Sequence, residues 1–156
     1  MYLSSLQNGL QSAHVVGEMI TKYLNHGLSD HQCDQHNMLL DWAENHKTMI
    51  LLNAGYGANI HNLAEMFSSN HNTFPWAKFH EEQAALDGAI TSIGIVLPEF
   101  VYRTASAIQN DHTRLGTIIH QNFIDWTDDS GTYFEFPITR WEITLAARLN
   151  DFRLSQ

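Results

Sequence analysis

Two stretches of strand length constrain this chain most: the apolar run of residues 48–54, TMILLNA, and residues 89–97, AITSIGIVL. The first of these lacks the alternation that a solvent face imposes, which suits a central strand covered on both sides. Between them lies a segment of helical period, with Ile60, Leu63, Ala64, Met66 and Phe67 on one stripe. The turn from Gly55 to Gly57 opens it and a Ser/Asn cluster at 68–72 closes it. Residues 74–80 alternate well enough for a further strand despite Pro75 near its start. Residues 1–6 read as a short first strand, 8–25 as the first helix, 26–35 as a polar loop and 37–45 as a short helix presenting Leu39, Leu40, Trp42 and Ala43. The order strand, helix, strand, helix, strand, strand predicts an α/β fold, a single domain whose mixed four-stranded sheet is flanked by helices.

Pro98 ends the last of these strands. Beyond it the pattern predicts helices over 99–109 and 114–126, an acidic turn at 128–131 and a final helix over 139–151. Trp141, Leu145, Ala146 and Leu149 form an apolar stripe on that last helix. The expected division is therefore an α/β core over 1–98 and a mainly helical C-terminal extension over 99–156, packed on the core or on a partner in a homodimer.

Charge narrows the range of partners. Eight basic residues against seventeen acidic ones give a formal net charge of −9 over 156 residues. Non-specific nucleic-acid affinity needs Lys and Arg to neutralise phosphates, and here most of the basic residues (Arg103, Arg114, Arg140, Arg148 and Arg153) fall in the C-terminal third. No window approaches the ~18 to 20 apolar residues of a membrane helix. The N-terminus lacks a basic, apolar, small-residue leader pattern. The lone Cys33 forms no internal disulfide, so a cytoplasmic protein with no membrane partner is expected.

Along the first helix Gln7, Gln11, His14 and Glu18 recur at helical spacing on one face. A merely solvated face is usually built from Lys, Glu and Arg, whereas this one offers hydrogen-bonding groups that are mostly uncharged near neutrality. Leu10, Ala13, Val16, Gly17, Ile20 and Leu24 form the side expected to pack on the sheet. Because the helix follows the first strand, its polar turns would stand at the carboxyl edge of the sheet, where α/β sites tend to lie.

Other clusters carry less chemistry. Residues 30–36, DHQCDQH, hold metal-type side chains, but one Cys and two His lack the paired spacing and four ligands of a structural zinc site. A polar loop is the better reading, with no metal. Two His-x-Thr pairs, His46 with Thr48 and His71 with Thr73, resemble those of two-histidine phosphoesterases, yet their separation leaves no room for the duplicated units that fold requires. Gly55, Tyr56 and Gly57 precede a helix without the longer glycine spacing or lysine of a phosphate loop. Trp42, Trp76, Trp126 and Trp141 lack the basic interleaving of a base-stacking platform and read as core or interface residues.

The pattern Q-x-x-x-Q-x-x-H formed by Gln7, Gln11 and His14 resembles bacterial and phage-encoded relatives of the type II peptidyl-tRNA hydrolase family. His46, Lys47, Thr48, Met49, Ile50, Leu51 and Leu52 are similar to that family's second strand. Phe79, His80, Glu81 and Glu82, followed by Leu86, Gly88 and the strand from Ile90 through Thr91, Ser92 and Ile93, resemble its F-x-E strand end, acidic loop and threonine strand. The closing Trp141, Glu142 and residues 145–154 resemble the C-terminal helix of some phage relatives; residues 100–137 have no counterpart. The likeness implies a four-stranded mixed sheet and hydrolysis of the ester between a peptide or amino acid and the tRNA 3′ end. Leu10 follows Gly9 where the family carries a lysine, and Glu81, Glu82 and Asp87 surround a loop where it carries a D-A-G turn. Thr91 matches directly.

Ester hydrolysis needs a positioned water, a base and donors for the oxyanion. His14 is the candidate base, Glu18 the group that holds its tautomer, and Thr91 a hydrogen-bonding partner for substrate or water. Gln7, Gln11 and Glu81 are candidate substrate-binding residues, and no cofactor is called for. The expected partner is a tRNA 3′ end or a nucleotide-like ligand. The alternative is a non-catalytic binding protein on the same fold, of phage type, that sequesters a nucleotide-like ligand or a host protein.

Overall fold

The computed structural model describes residues 5–24, 30–82, 84, 87–110, 118–119, 123–127 and 130–154. The chain divides into two compact units, Met1–Val96 with Leu154–Gln156, and Leu97–Arg153.

In the first unit, α1 (Ser5–Leu24) packs against an antiparallel hairpin of β2 (Trp76–His80) and β3 (Ile90–Ile95). The helix buries a narrow seam, Val15, Met19 and Tyr23, spaced four residues apart. Leu39, Ala77 and Val96 complete that core, with Met38, Trp42 and Phe79 around it. The buried seam is thus not the side expected from composition. Leu10 is 57 % and Ile20 41 % exposed, and Ala13 and Gly17 also face water. Close approach explains the rotation: a Cβ on Gly94 of β3 would stand 2.7 Å from Val15 Cγ1, so the missing side chain lets α1 settle on that seam.

Residues 30–35, expected as a loop, begin α2 (Asp30–Asp41). Leu39 is fully buried, His36 Nδ1 lies 2.9 Å from the Tyr23 carbonyl, and Gln35 Nε2 donates to the Phe74 carbonyl at 3.2 Å, so tertiary contacts fix this polar segment as a helix. Among the described residues no three His, Cys, Asp or Glu side chains converge as a metal centre. A π-helical turn, Trp42–His46, ends α2 at Lys47, whose φ of 53° lies in the left-handed region.

The run 48–54 is not a covered central strand. Only β1 (Leu52–Asn53) is strand, and Met49 and Ile50 are about half exposed, at 53 % and 50 %. Of the expected first strand, residues 1–4 lie outside the described residues, while Ser5 and Leu6 open α1. The fold is therefore mixed helix and strand, but a single four-stranded sheet does not form among the described residues. The helix after the Gly55 to Gly57 turn is α3 (Gly57–Phe67), which buries Leu63, Ala64 and Phe67 and contacts β3.

The second unit carries α4 (Glu99–Asn110), a meander of β4 (Ile118–Ile119), β5 (Phe123–Thr127) and β6 (Tyr133–Pro137), and α5 (Arg140–Asn150). The helix expected over 114–126 is thus replaced by strands wherever that stretch is described. Alternation decides it: Ile124 and Trp126 lie opposite Phe136 and Phe134, and Trp126 stacks on both phenyl rings at 5.3 and 5.4 Å. Helix α5 starts with a capping box, in which Thr139 Oγ1 accepts from the Glu142 amide at 3.2 Å and Glu142 accepts from the Thr139 amide at 2.6 Å. β7 (Arg153–Leu154) follows it. Among the described residues no helix is long and apolar enough to cross a membrane.

Candidate functional site

The polar stripe of α1 flanks the buried seam instead of opposing it. Gln11 and His14 precede Val15, and Glu18 and Lys22 precede Met19 and Tyr23, so each polar residue stands at the margin where helix meets hairpin. A solvated face on the far side of the helix could not reach the strands.

A bulge in the hairpin supplies the partners. β2 and β3 pair Phe79 with Ser92 but His80 with Ile90, so Thr91 is the extra residue of β3 and breaks the strict alternation of its faces. Thr91 thereby reaches α1, where its hydroxyl donates to Gln11 Oε1 at 2.7 Å. The same amide donates from Nε2 to Glu81 Oε1 at 2.5 Å. Glu81 leaves β2 in register with the loop return, its amide bonding the Ala89 carbonyl at 3.0 Å. Asp87 and Gly88, both at positive φ, turn the chain back into β3. All three side chains of this relay are half-buried.

The relay fixes the Gln11 amide, because each end meets a group of the opposite hydrogen-bonding sense. Among the described residues, one Gln11 N–H, the second Glu81 oxygen and the lone pairs of the Thr91 hydroxyl remain as the groups a bound molecule can meet. One turn on, the imidazole of exposed His14 lies parallel to the Phe79 ring, 4.4 Å between centroids and 9° between planes. Stacking covers one face of the imidazole while the residue as a whole stays exposed.

Gln11, Glu81 and Thr91 are thus joined directly, and His14 is tied to the same hairpin through Phe79. Gln7 is exposed one turn before Gln11. Glu18 makes no hydrogen bond to His14 among the described residues; it lines a groove with Thr21, Lys22, Trp76, Ala77 and Lys78. Three contributors lay outside the sequence-derived set. Phe79 was visible only as part of the F-x-E segment, and Lys22 and Lys78 gave no signal of their own. The bulge at Thr91 has no sequence signature here, since neither Gly nor Pro marks it.

His46 sits in the π-helical turn with its Nε2 3.3 Å from Asp41, and His71 lies in the turn after α3. Neither belongs to the relay. No family model, curated protein or solved structure matches this chain.

Proposed function

We propose that this chain is a relative of the type II peptidyl-tRNA hydrolases, and that it hydrolyses peptidyl- or aminoacyl-tRNA-type esters at the margin of α1. The observation that carries this reading is the relay from Thr91 through Gln11 to Glu81, which joins residues 80 and 70 positions apart through the bulge. Bulges that re-aim one polar side chain are a recurrent device beside active sites. Glu81 and Thr91 would hold the attacking water and the substrate, and the remaining Gln11 N–H would face the developing oxyanion. His14 takes a proton as water adds to the ester carbonyl. The bond from carbonyl carbon to ribose oxygen then breaks and His14 returns the proton to that oxygen.

The test is release of the amino acid from an N-blocked aminoacyl-tRNA. Wild-type protein should cleave it, and His14→Ala should lower the rate about a hundredfold or more. No release by the wild type under conditions that suffice for a genuine hydrolase would sink the catalytic reading.

A second reading rests on Leu10, which is 57 % exposed and stands where the family carries a lysine. On this reading the site binds a nucleotide-like ligand without cutting it. A rise in melting temperature with nucleotide, alongside no ester cleavage, would select it.

A further inference from the structure

A groove farther along α1, at the other end of β2 from the relay, has its own chemistry. It has a volume of about 300 Å³ and runs between the last turns of α1 and the start of β2, lined by Glu18, Thr21, Lys22, Trp76, Ala77 and Lys78. That is the lower end of the size range of small-ligand sites. The chain has only three lysines, Lys22, Lys47 and Lys78, and two of them meet here in a protein of net charge −9.

Lys22 is held in an unusual way. Glu18 stands four residues before it, the spacing at which helical ion pairs form, yet the two make no ion pair among the described residues. The Lys22 ammonium instead donates to the Trp76 carbonyl at 3.0 Å and lies 4.5 Å from the Trp76 ring centroid and 4.8 Å from that of Tyr23. Tyr23 secures the same strand: its hydroxyl lies 3.2 Å from both the Trp76 amide and the Trp76 carbonyl. A cation fixed by rings and one carbonyl keeps its charge unneutralised and two N–H donors unspent. Lys78 is exposed on the strand at the other side of the groove, also without an ion pair among the described residues.

We propose that this groove binds a nucleotide unit, with Lys22 and Lys78 taking its phosphate and Glu18 accepting from its ribose hydroxyls. Two lysines lining one groove can offer a phosphate the point charges it needs. A single carboxylate at the rim of the same groove is the acceptor a sugar diol needs, whereas a site for a bare anion would exclude it. The Thr21 hydroxyl adds a further polar contact. The inference stands on the groove's own side chains and does not require ester cleavage at Gln11, Glu81 and Thr91. The phosphate can belong to a free nucleotide or to the end of a nucleic-acid strand.

The experiment titrates ¹⁵N-labelled protein with ADP and, separately, with a single-stranded RNA trinucleotide. At least one probe should move the amides of Lys22, Ala77 and Lys78. Lys22→Met and Lys78→Met should each weaken that probe about tenfold, the cost of one lost charge-assisted contact. Lys78→Arg should keep most of the affinity. Binding of ADP alone identifies a free nucleotide. Tighter RNA binding, with the salt slope flattened by about 0.7 on loss of a lysine, identifies a strand. Silence with both probes, affinity unchanged in both Met variants, or shifts confined to Gln11, Glu81 and Thr91 would overturn the proposal. Lys78 is exposed, so its variant reports on binding even if Lys22→Met unfolds; His14→Ala, assayed for ester cleavage, reports separately on the relay.

Discussion

Both units make local polar contacts, but they differ in how far their polar side chains reach across the fold. In the first, they tie together elements far apart in the chain: Thr91 to Gln11, Gln11 to Glu81, Lys22 and Tyr23 to Trp76, and Gln35 to Phe74 span 80, 70, 54, 53 and 39 residues. In the second, most are local: the Thr139 and Glu142 capping box, Glu99 with Arg103, Arg148 with Asp151, and Asp125 with Tyr133 span three to eight residues. Asn150, which donates to the Ala105 carbonyl, and Arg103, which lies over the Trp126 ring, reach farther. Long-range order in the second unit therefore rests on apolar packing, with Val101, Ile124 and Leu145 fully buried. A unit that spends its polar groups on long-range contacts between helix and hairpin is the one in which those groups can also meet a ligand.

The sharpest way to break this contrast is to remove packing from the second unit. Leu145 has no exposure, and Leu145→Ala should cost about 2 to 5 kcal/mol, the transfer term plus a cavity. Urea denaturation followed through Trp126 measures it. A loss below about 1 kcal/mol would mean that the site collapses freely and that the polar contacts of this unit matter more than its core.

In the first unit the corresponding weak point is a close approach. A methyl group on Gly94 would lie 2.7 Å from Val15 Cγ1 and 2.9 Å from Met19 Cε. The Met19 terminus can swing aside, but Val15 is β-branched and held in one rotamer on its helix. Gly94→Ala should therefore destabilise by about 1 to 3 kcal/mol. Combined with Val15→Ala it should cost less than the two changes summed, since the second opens the space that the first fills. Simple additivity would show that α1 does not depend on contact with Gly94. The relay would then lose its structural reason for lying beside the seam.

These pairs also explain what was legible in the sequence. Strands 76–80 and 90–95 and helices 57–67, 99–110 and 140–150 could be read because local period and punctuation agree with tertiary burial. The run 48–54 misled because apolar composition alone does not secure burial: Met49, Ile50 and Leu52 stay exposed and only Leu52 and Asn53 form strand. The strands of 118–127 were hidden by helix-like spacing, and only the pairing of Ile124 and Trp126 with Phe136 and Phe134 reveals the period of two. Gln11, Glu81 and Thr91 could be named as candidates from residue type and resemblance. Their joining could not, because a bulge is a property of two strands in register and Gly94 gave no sign that α1 would roll toward it.

The smallest effect expected concerns the second unit's own polar cluster, and at neutral pH it is no effect at all. The Tyr133 hydroxyl lies 3.0 Å from Asp125 Oδ2 and 3.1 Å from Glu135 Oε2, and these two carboxylates face each other across β5 and β6. The hydrogen bond to Asp125, with smaller contributions from desolvation and from Glu135, pushes the phenol from its usual 10.0 up to about 12. Asp125 is itself buried, so a phenolate beside it would place two negative charges together. Because the folded value lies above the unfolded one, the stabilisation from this hydroxyl is complete below about pH 10 and is lost as pH rises toward about 12. The difference in phenolate absorbance between the native protein and Tyr133→Phe should show this hydroxyl titrating near about 12. Asp125→Asn should bring it down toward the ordinary range, with Glu135 retaining part of the shift. If Tyr133 instead titrates near its usual 10.0 in the native protein, the hydroxyl is not held between the two acids. The local polar chemistry of this unit would then rest on the Thr139 and Glu142 capping box and on the ion pairs of Glu99 with Arg103 and Arg148 with Asp151.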